Sequence, residues 1–206
     1  MKKIRVLLAD DHAIVRMGLS SLLARQKDIE LVGQATNGIE AIRETVRLKP
    51  DVVVMDLLMP KKNGADATAE IHQTLPAVKI IILTTFSTSD GIAKAMDNGA
   101  TGALLKGSAE NDLVPIIRKV VKGETALSQD VQDLFAQDPP VKSLSSRQTE
   151  ILESMARGLT NKEIAVALNI TPAMTHEHSL AIFAKLGAAN RAEAVAIALR
   201  KQLLKI

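Results

Sequence analysis

The chain has 206 residues, a length that allows one large domain or two small ones. It contains no Cys, Tyr or Trp and only three Phe, which excludes disulfides, thiolate metal sites and cysteine catalysis and argues against the stacking of single-stranded bases. The net charge of +3 is uneven: residues 1–141 hold 17 Lys and Arg against 18 Asp and Glu, and residues 142–206 hold nine against five. This mildly basic C-terminal segment is compatible with a polyanionic partner.

The N-terminal apolar run is too short for a secretory signal. It covers residues 6–9 and ends at Asp10 and Asp11, whereas a signal peptide needs roughly 7–15 apolar residues. No apolar stretch approaches the ~20 residues of a membrane span. We therefore expect a soluble, cytoplasmic protein that does not associate with a membrane.

Residues 1–122 alternate between strand-like and helix-like patterns. Apolar runs at every position, such as residues 52–55, are typical of strands buried on both faces of a parallel sheet. Five βα units predict an α/β doubly wound, five-stranded parallel sheet that binds ligands at the carboxyl ends of its strands. The predicted strands are 4–9, 29–35, 51–55, 79–83 and 101–105, and the predicted helices are 12–26, 37–48, 64–74, 89–98 and 109–122.

The rest of the chain carries no further strand pattern. Residues 123–143, with Gly123 and two prolines, predict a linker with room for one short helix at 128–137. Residues 144–206 predict an all-α domain of four helices, in which the second and third form a helix-turn-helix. The start signals of the first three helices are the capping boxes Ser145–Gln148 and Thr160–Glu163 and the pair Thr171-Pro172.

Five polar residues stand at the ends of predicted strands: Asp10, Asp11, Asp56, Thr84 and Lys106. The first and third strands of a doubly wound sheet are neighbours, so the carboxylates converge on one rim. Close carboxylates repel unless a cation neutralises them, and hard oxygen ligands suit Mg²⁺. A carboxylate can also act as a nucleophile toward phosphorus, with the cation, the ammonium and the hydroxyl neutralising the phosphoryl oxygens.

These motifs resemble the receiver domain of two-component response regulators, which has a flavodoxin-like fold, across residues 1–122. The resemblance implies that Asp56 is the phosphoacceptor of a histidine kinase, that Thr84 senses the phosphoryl group and that Lys106 pairs with it. It implies Mg²⁺ held by Asp10, Asp11, Asp56 and the Leu58 backbone carbonyl. It also implies a switch, not an enzyme, whose only chemistry is its own phosphorylation and dephosphorylation. The matching residues are Asp10-Asp11, 54–57, Met59-Pro60, Gly64, Leu83-Thr84 and Leu105-Lys106.

One position departs from the receiver pattern. Receivers often have Tyr or Phe three residues before the strand-end lysine, where this chain has Ala103. In the family that aromatic side chain swings inward when the threonine moves. Coupling from Thr84 to the face formed by predicted helix 89–98, strand 101–105 and helix 109–122 is therefore expected to take another route in this chain.

Residues 144–206 resemble the LuxR-type helix-turn-helix of the NarL/FixJ family. The resemblance implies a homodimer whose third helix enters the major groove of double-stranded promoter DNA. The matching residues include Leu144-Ser145, Gly158 to Ala165, Ile170-Thr171, His178, Lys185-Leu186-Gly187 and Asn190-Arg191. The candidate DNA-contacting residues are Lys162, Thr171, Met174, Thr175, His176, Glu177, His178 and Lys185.

The recognition helix departs from the family. Met174-Thr175-His176 replaces the usual Thr-Val-Lys, and residues 172–186 carry only Glu177 and Lys185 as charged residues. Fewer phosphate contacts predict weaker DNA binding. Thr175 can contact a thymine methyl group and Glu177 can accept a hydrogen bond from a cytosine amine, which predicts a changed sequence preference.

Other phosphate-binding classes fit the sequence less well. A haloacid dehalogenase-type phosphatase needs a second Asp where the chain has Leu58, and no phosphate-binding glycine loop occurs. The main alternative is a receiver whose degenerate output domain binds a protein partner instead of DNA. An apolar stripe on the last helix is predicted to be mostly core, with its exposed remainder a dimer seam; it comprises Ala192, Val195, Ala196, Leu199 and Leu203.

Overall fold

The computed structural model describes residues 2–85, 89–141, 144–201 and 203–204. The chain forms two compact units, Met1–Pro139 and Pro140–Ile206, which are described separately below. Within the described residues, no helix is both long and apolar enough to cross a membrane.

The first unit is a parallel sheet flanked by helices, with strand order β2-β1-β3-β4-β5-β6. The doubly wound parallel sheet predicted from the sequence is confirmed. The strands are β1 Ile4–Ala9, β2 Ile29–Ala35, β3 Val52–Asp56, β4 Lys79–Thr84, β5 Gly102–Leu105 and β6 Ala126–Leu127. The helices are α1 Ala13–Ala24, α2 Gly38–Leu48, α3 Gly64–Thr74, α4 Ser89–Asp97, α5 Ala109–Val121 and α6 Gln129–Gln137.

The register of the central strands positions the strand-end carboxylates. Strand β3 is buried at every position, as its unbroken apolar run predicts. It pairs in parallel with β1, with Ala9 opposite Met55. The next residues along the two strands, Asp10 and Asp56, therefore leave the same edge of the sheet side by side.

The prediction of five strands is wrong by one, because a sixth strand extends the sheet. Ala126 N–H donates to the Thr101 carbonyl and Ser128 N–H donates to the Ala103 carbonyl, both at 3.0 Å. The short helix expected nearby is α6, whose Val131 is fully buried in the core of the first unit. The predicted linker at 123–143 was therefore too long, since β6 and α6 belong to the first unit.

The second unit consists of helices α7 Ser146–Ala156, α8 Asn161–Leu168, α9 Pro172–Leu186 and α10 Arg191–Arg200. Both predicted capping boxes are present, at Ser145 before α7 and Thr160 before α8. Asn169 ends α8 and Gly187 ends α9, each in the left-handed conformation, with φ of 53° and 66°. The fully buried side chains at the centre of the unit are Ile151, Leu152, Ile164, Ile182, Ala194 and Ala198.

Arg191 joins α10 to the end of α7. Its guanidinium donates to the Met155 carbonyl at 2.9 Å and to the Leu159 carbonyl at 2.5 Å, and so joins the start of α10 to the turn between α7 and α8. We expect Arg191→Ala to lower the free energy of unfolding of the second unit by about 1.5–3 kcal/mol, measured by urea unfolding followed by circular dichroism. The exposed Arg157 is the control, because its removal costs no side-chain hydrogen bond that the structure records; equal losses in both variants would contradict this role.

Candidate functional site

The first unit gathers its charged strand-end residues around one lysine. Asp56 ends β3 and is 3% exposed, and Asp10, just beyond β1, is 2% exposed. Lys106 follows β5, and its Nζ lies 2.7 Å from Asp56 Oδ2 and 2.6 Å from Asp10 Oδ2. Three residues that are distant in sequence therefore form one buried ionic group.

Burial and ion pairing act against each other in this group. Burial raises the pKa of Asp56, the hydrogen bond and charge of Lys106 oppose that rise, and the neighbouring Asp10 charge adds to it. Burial alone would lower the pKa of Lys106, but the hydrogen bonds and charges of Asp10 and Asp56 outweigh it and raise that pKa. Lys106 is thus the ammonium counter-ion of two carboxylates.

A set of possible metal ligands lies beside this group. Asp10, Asp11, His12 and Asp56 each place one donor atom within 4.8 Å of the others. Asp10 also accepts the His12 backbone N–H at 2.8 Å, and the exposed His12 Nδ1 lies 2.8 Å from Asp11 Oδ1. Converging carboxylates with one exposed member suit a hard cation that keeps several waters, so the residues fit Mg²⁺.

Sequence reasoning left His12 out of this group. His12 directly follows Asp11 in the chain, so the sequence alone places it near the carboxylates. Its contact with that carboxylate depends on the turn from β1 into α1, which carries no sequence pattern of its own. At Leu58, the structure records a backbone N–H that donates to Asp56 Oδ1 at 3.3 Å.

Thr84 stands at the end of β4, next to β3 in the sheet. Its side chain is 1% exposed, and its hydroxyl has no hydrogen-bond partner among the residues that the structure describes. Buried hydroxyls are nearly always paired, so this hydroxyl at the edge of a carboxylate site suits the donation of a hydrogen bond to a bound oxyanion.

Gly64 allows α3 to begin close against the end of β3. A Cβ at this position would lie 2.1 Å from the Asp56 carbonyl oxygen, closer than any real contact. The Gly64 N–H donates to the Leu57 carbonyl at 2.8 Å, and Asn63 caps the helix by accepting the Asp66 N–H at 2.8 Å. The loop that carries Asp56 is therefore held directly by the start of α3.

The start of α9 carries most of the predicted DNA-contacting residues. Thr171 caps the helix by accepting the Met174 N–H at 3.1 Å, and Met174, His176 and Glu177 are exposed. Thr175 is fully buried, and its hydroxyl donates to the Thr171 carbonyl at 3.2 Å. The prediction that Thr175 contacts a base is wrong for this fold, because its side chain points into the core.

The remaining candidates have different surroundings. Lys162 is exposed on α8, and His178 is half-buried on α9. Lys185 donates from Nζ to Gln148 Oε1 at 2.8 Å, which ties the end of α9 to the start of α7. Sequence reasoning missed the exposed Ala173 and Leu180, which share a helix face with His176 and Glu177. The helical spacing of the apolar Ile182 and Leu186, which are buried, could have shown which face of α9 is exposed.

Most of the predicted stripe on α10 faces solvent, although Val195 and Leu203 are partly buried against the core of the second unit. Ala192, Ala196 and Leu199 are exposed, whereas Ala194 and Ala198 are fully buried. The prediction that most of this stripe is core is therefore wrong, because α10 is rotated so that its other alanines face α7 and α9.

Comparisons with known proteins agree with this division of the chain. The family model "Response regulator receiver domain" matches residues 6–118, and "Bacterial regulatory proteins, luxR family" matches residues 142–198. The oxygen regulatory protein NreC of Staphylococcus aureus (strain bovine RF122 / ET3-1) is 39% identical over 215 residues, covering 98% of this chain and 99% of the relative.

Two solved structures are also similar over nearly the whole chain. The response regulator ChrA of a heme-sensing two-component system is 34% identical, with a TM-score of 0.59, and the match covers 99% of this chain and 100% of ChrA. The response regulator RcsB in its complex with DNA is 26% identical, with a TM-score of 0.71, and the match covers 97% of this chain and 99% of RcsB. The chain belongs to the NarL/FixJ family of two-component response regulators, in which a receiver domain controls a LuxR-type helix-turn-helix DNA-binding domain.

Proposed function

We propose that this chain is a cytoplasmic transcriptional regulator that a histidine kinase phosphorylates on Asp56. The observation that carries the proposal is the Lys106 ammonium bound between the Asp56 and Asp10 carboxylates. At the same edge lies the buried Thr84 hydroxyl, which has no hydrogen-bond partner among the described residues. The site has a nucleophile, a fixed positive charge and a hydroxyl donor, which are groups that phosphoryl transfer uses.

The residues divide the work of phosphoryl transfer as follows. An Asp56 carboxylate oxygen attacks phosphorus, and the phosphoryl group leaves the kinase histidine for Asp56. Lys106 neutralises one phosphoryl oxygen, and Thr84 donates its hydroxyl to another. Asp10, Asp11, Asp56 and the Leu58 carbonyl would hold Mg²⁺, which supplies further positive charge for the phosphoryl oxygens. The reaction is confined to this chain's own aspartate, so the receiver is a switch and not an enzyme with turnover.

The output of the switch is DNA binding through α9. Ala173, Met174, His176, Glu177 and Leu180 form its exposed face, and we infer that the first turns of this face meet base edges in the major groove. Thr171, His178, Lys162 and Lys185 flank it as candidates for backbone contact. The exposed stripe of α10, with Leu199 46% exposed, is the proposed seam of a homodimer that binds two half-sites.

The test is capture of fragmented genomic DNA by the full chain, with and without Mg²⁺ and beryllofluoride. Beryllofluoride replaces the phosphoryl group on Asp56. Enrichment of a palindromic sequence only with beryllofluoride is the expected result. Failure of beryllofluoride to bind Asp56 would contradict the phosphoacceptor assignment.

A second candidate function is favoured by the weak charge of α9. Glu177 and Lys185 are its only charged residues, Lys185 is tied to Gln148, and Met174 and Leu180 are exposed. An output domain of this composition would dock a protein partner. Beryllofluoride binding without enrichment of any DNA sequence would support this candidate over DNA binding.

Adding a positive charge to the exposed face of α9 separates these two functions. We expect His176→Lys to tighten DNA binding and to steepen the dependence of log K on log salt concentration by about 0.9, the effect of one added phosphate contact. Fluorescence anisotropy with labelled duplex DNA at several salt concentrations measures both quantities. Ala24→Lys adds the same charge to α1 of the receiver and is the control. An unchanged slope for His176→Lys would show that this face does not meet the phosphate backbone.

A further inference from the structure

Helix α6 fills the region where the receiver pattern has an aromatic side chain. Ala103 on β5 is fully buried and lies opposite Leu127 of β6. Val131 of α6 is also fully buried in the same apolar core, and Leu134 and Phe135 pack against that core. An inward-swinging aromatic group at position 103 would have no space here, so α6 supplies the apolar volume instead.

A hydrogen bond ties α6 to the helix that follows the phosphorylation site. Ser89, fully buried at the start of α4, donates from its hydroxyl to Asp138 Oδ2 at 3.1 Å, and Asp138 is the residue directly after α6. Ser89 is five positions after Thr84 in the sequence. The anchor of α6 is therefore separated from Thr84 by only four residues along the chain.

The side chain in front of α6 adds no anchor to the helix. Ser128 precedes the helix and is buried, but its hydroxyl caps no helix N–H and has no hydrogen-bond partner among the described residues. An unsatisfied buried hydroxyl lowers the free energy needed to detach the segment that carries it. Besides the Ser128 backbone hydrogen bond to the Ala103 carbonyl, α6 is thus held mainly by its apolar face and by Asp138.

We propose that α6 is the moving element through which phosphorylation of the receiver reaches the output domain, a proposal that rests on the proposed function of Asp56. Thr84 moves toward the phosphoryl group, the start of α4 follows, the Ser89–Asp138 hydrogen bond breaks and α6 leaves the core around Ala103. Helix α6 ends at Gln137, and the boundary between the two units follows at Pro139 and Pro140. Its release therefore changes the length of free chain in front of the output domain.

Amide hydrogen–deuterium exchange of the full chain tests this proposal. With Mg²⁺ and beryllofluoride, we expect exchange in residues 129–138 to rise on the order of tenfold, as for a two-state element whose minor state becomes populated. Fluorine NMR on the same sample reports whether beryllofluoride is bound. Bound beryllofluoride with unchanged exchange in this segment would overturn the role of α6 and leave the phosphoacceptor assignment intact.

A serine variant tests the anchor without any phosphoryl mimic. Ser89→Ala is expected to raise exchange in residues 129–138 roughly three- to tenfold in the resting protein, the effect of one lost hydrogen bond. Ser21→Ala is the matched control, because Ser21 also donates its hydroxyl, to the Met17 carbonyl at 3.0 Å, but lies on α1. Equal exchange in wild type and Ser89→Ala would overturn the proposed anchor, even in a protein that failed to bind beryllofluoride.

Discussion

Asp56→Asn is expected to abolish the uptake of a phosphoryl group from acetyl phosphate, lowering its rate by roughly three orders of magnitude or more. The amide has nearly the same shape as the carboxylate but cannot attack phosphorus. The variant should fold, because it removes a buried negative charge and Lys106 keeps its ion pair with Asp10. Intact-protein mass spectrometry measures the uptake directly.

The control for this variant is Asp51→Asn at the opposite end of β3. Asp51 directly precedes β3 and accepts the Arg5 backbone N–H at 2.8 Å, so it is a structural carboxylate away from the site. Its uptake should equal that of wild type. Wild-type uptake by Asp56→Asn would show that another carboxylate accepts the phosphoryl group, with the exposed Asp11 the first to be tested.

Gly64→Ala is expected to lower the free energy of unfolding of the receiver by about 3 kcal/mol and to slow phosphoryl uptake as well. The new methyl group would lie 2.1 Å from the Asp56 carbonyl oxygen, and backbone on both sides must move to admit it. The loop that holds Asp56 and the start of α3 would separate. Urea unfolding and acetyl phosphate uptake measure the two effects.

Gly18→Ala is the matched control for this substitution. A Cβ at Gly18 in α1 meets nothing within 4 Å, so alanine there should raise stability by roughly 0.5–1 kcal/mol through its better helix propensity. Similar effects of the two substitutions would contradict the close approach of α3 to β3.

The strands of the receiver were predictable because burial on both faces leaves unbroken apolar runs. The predicted strands 4–9 and 29–35 match β1 and β2, and the strand-end positions of Asp56, Thr84 and Lys106 followed from the same runs. The ion pairs of Lys106 with Asp10 and Asp56 were not predictable in detail, because they depend on side-chain geometry across three strands. The helix starts at Ser145, Thr160 and Thr171 are local signals and were found directly.

The features that could not be predicted from the sequence depend mostly on tertiary contacts. Strand β6 has two residues, too few to show a period of two, and its existence depends on the free edge of β5. Thr175 was chosen from its place in a family motif, whereas the spacing to Ile182 and Leu186 puts it on the buried face. The error over which residues of α10 are buried also depends on tertiary packing. Alanines occur on both faces of this helix, so composition does not show which face packs against the core.

The two edges of the sheet bear on how copies of this protein can associate. One edge is β6, only two residues long, and the other is β2, where the register with β1 shifts between Val6 and Leu7 and where Glu30 and Gln34 are exposed. Short strands, irregular register and outward polar residues all discourage backbone pairing between molecules. Self-association through added strands, the route to irreversible aggregation, is therefore disfavoured. Association between copies of the chain is therefore expected to use side chains on helices, such as the exposed Leu199 of α10.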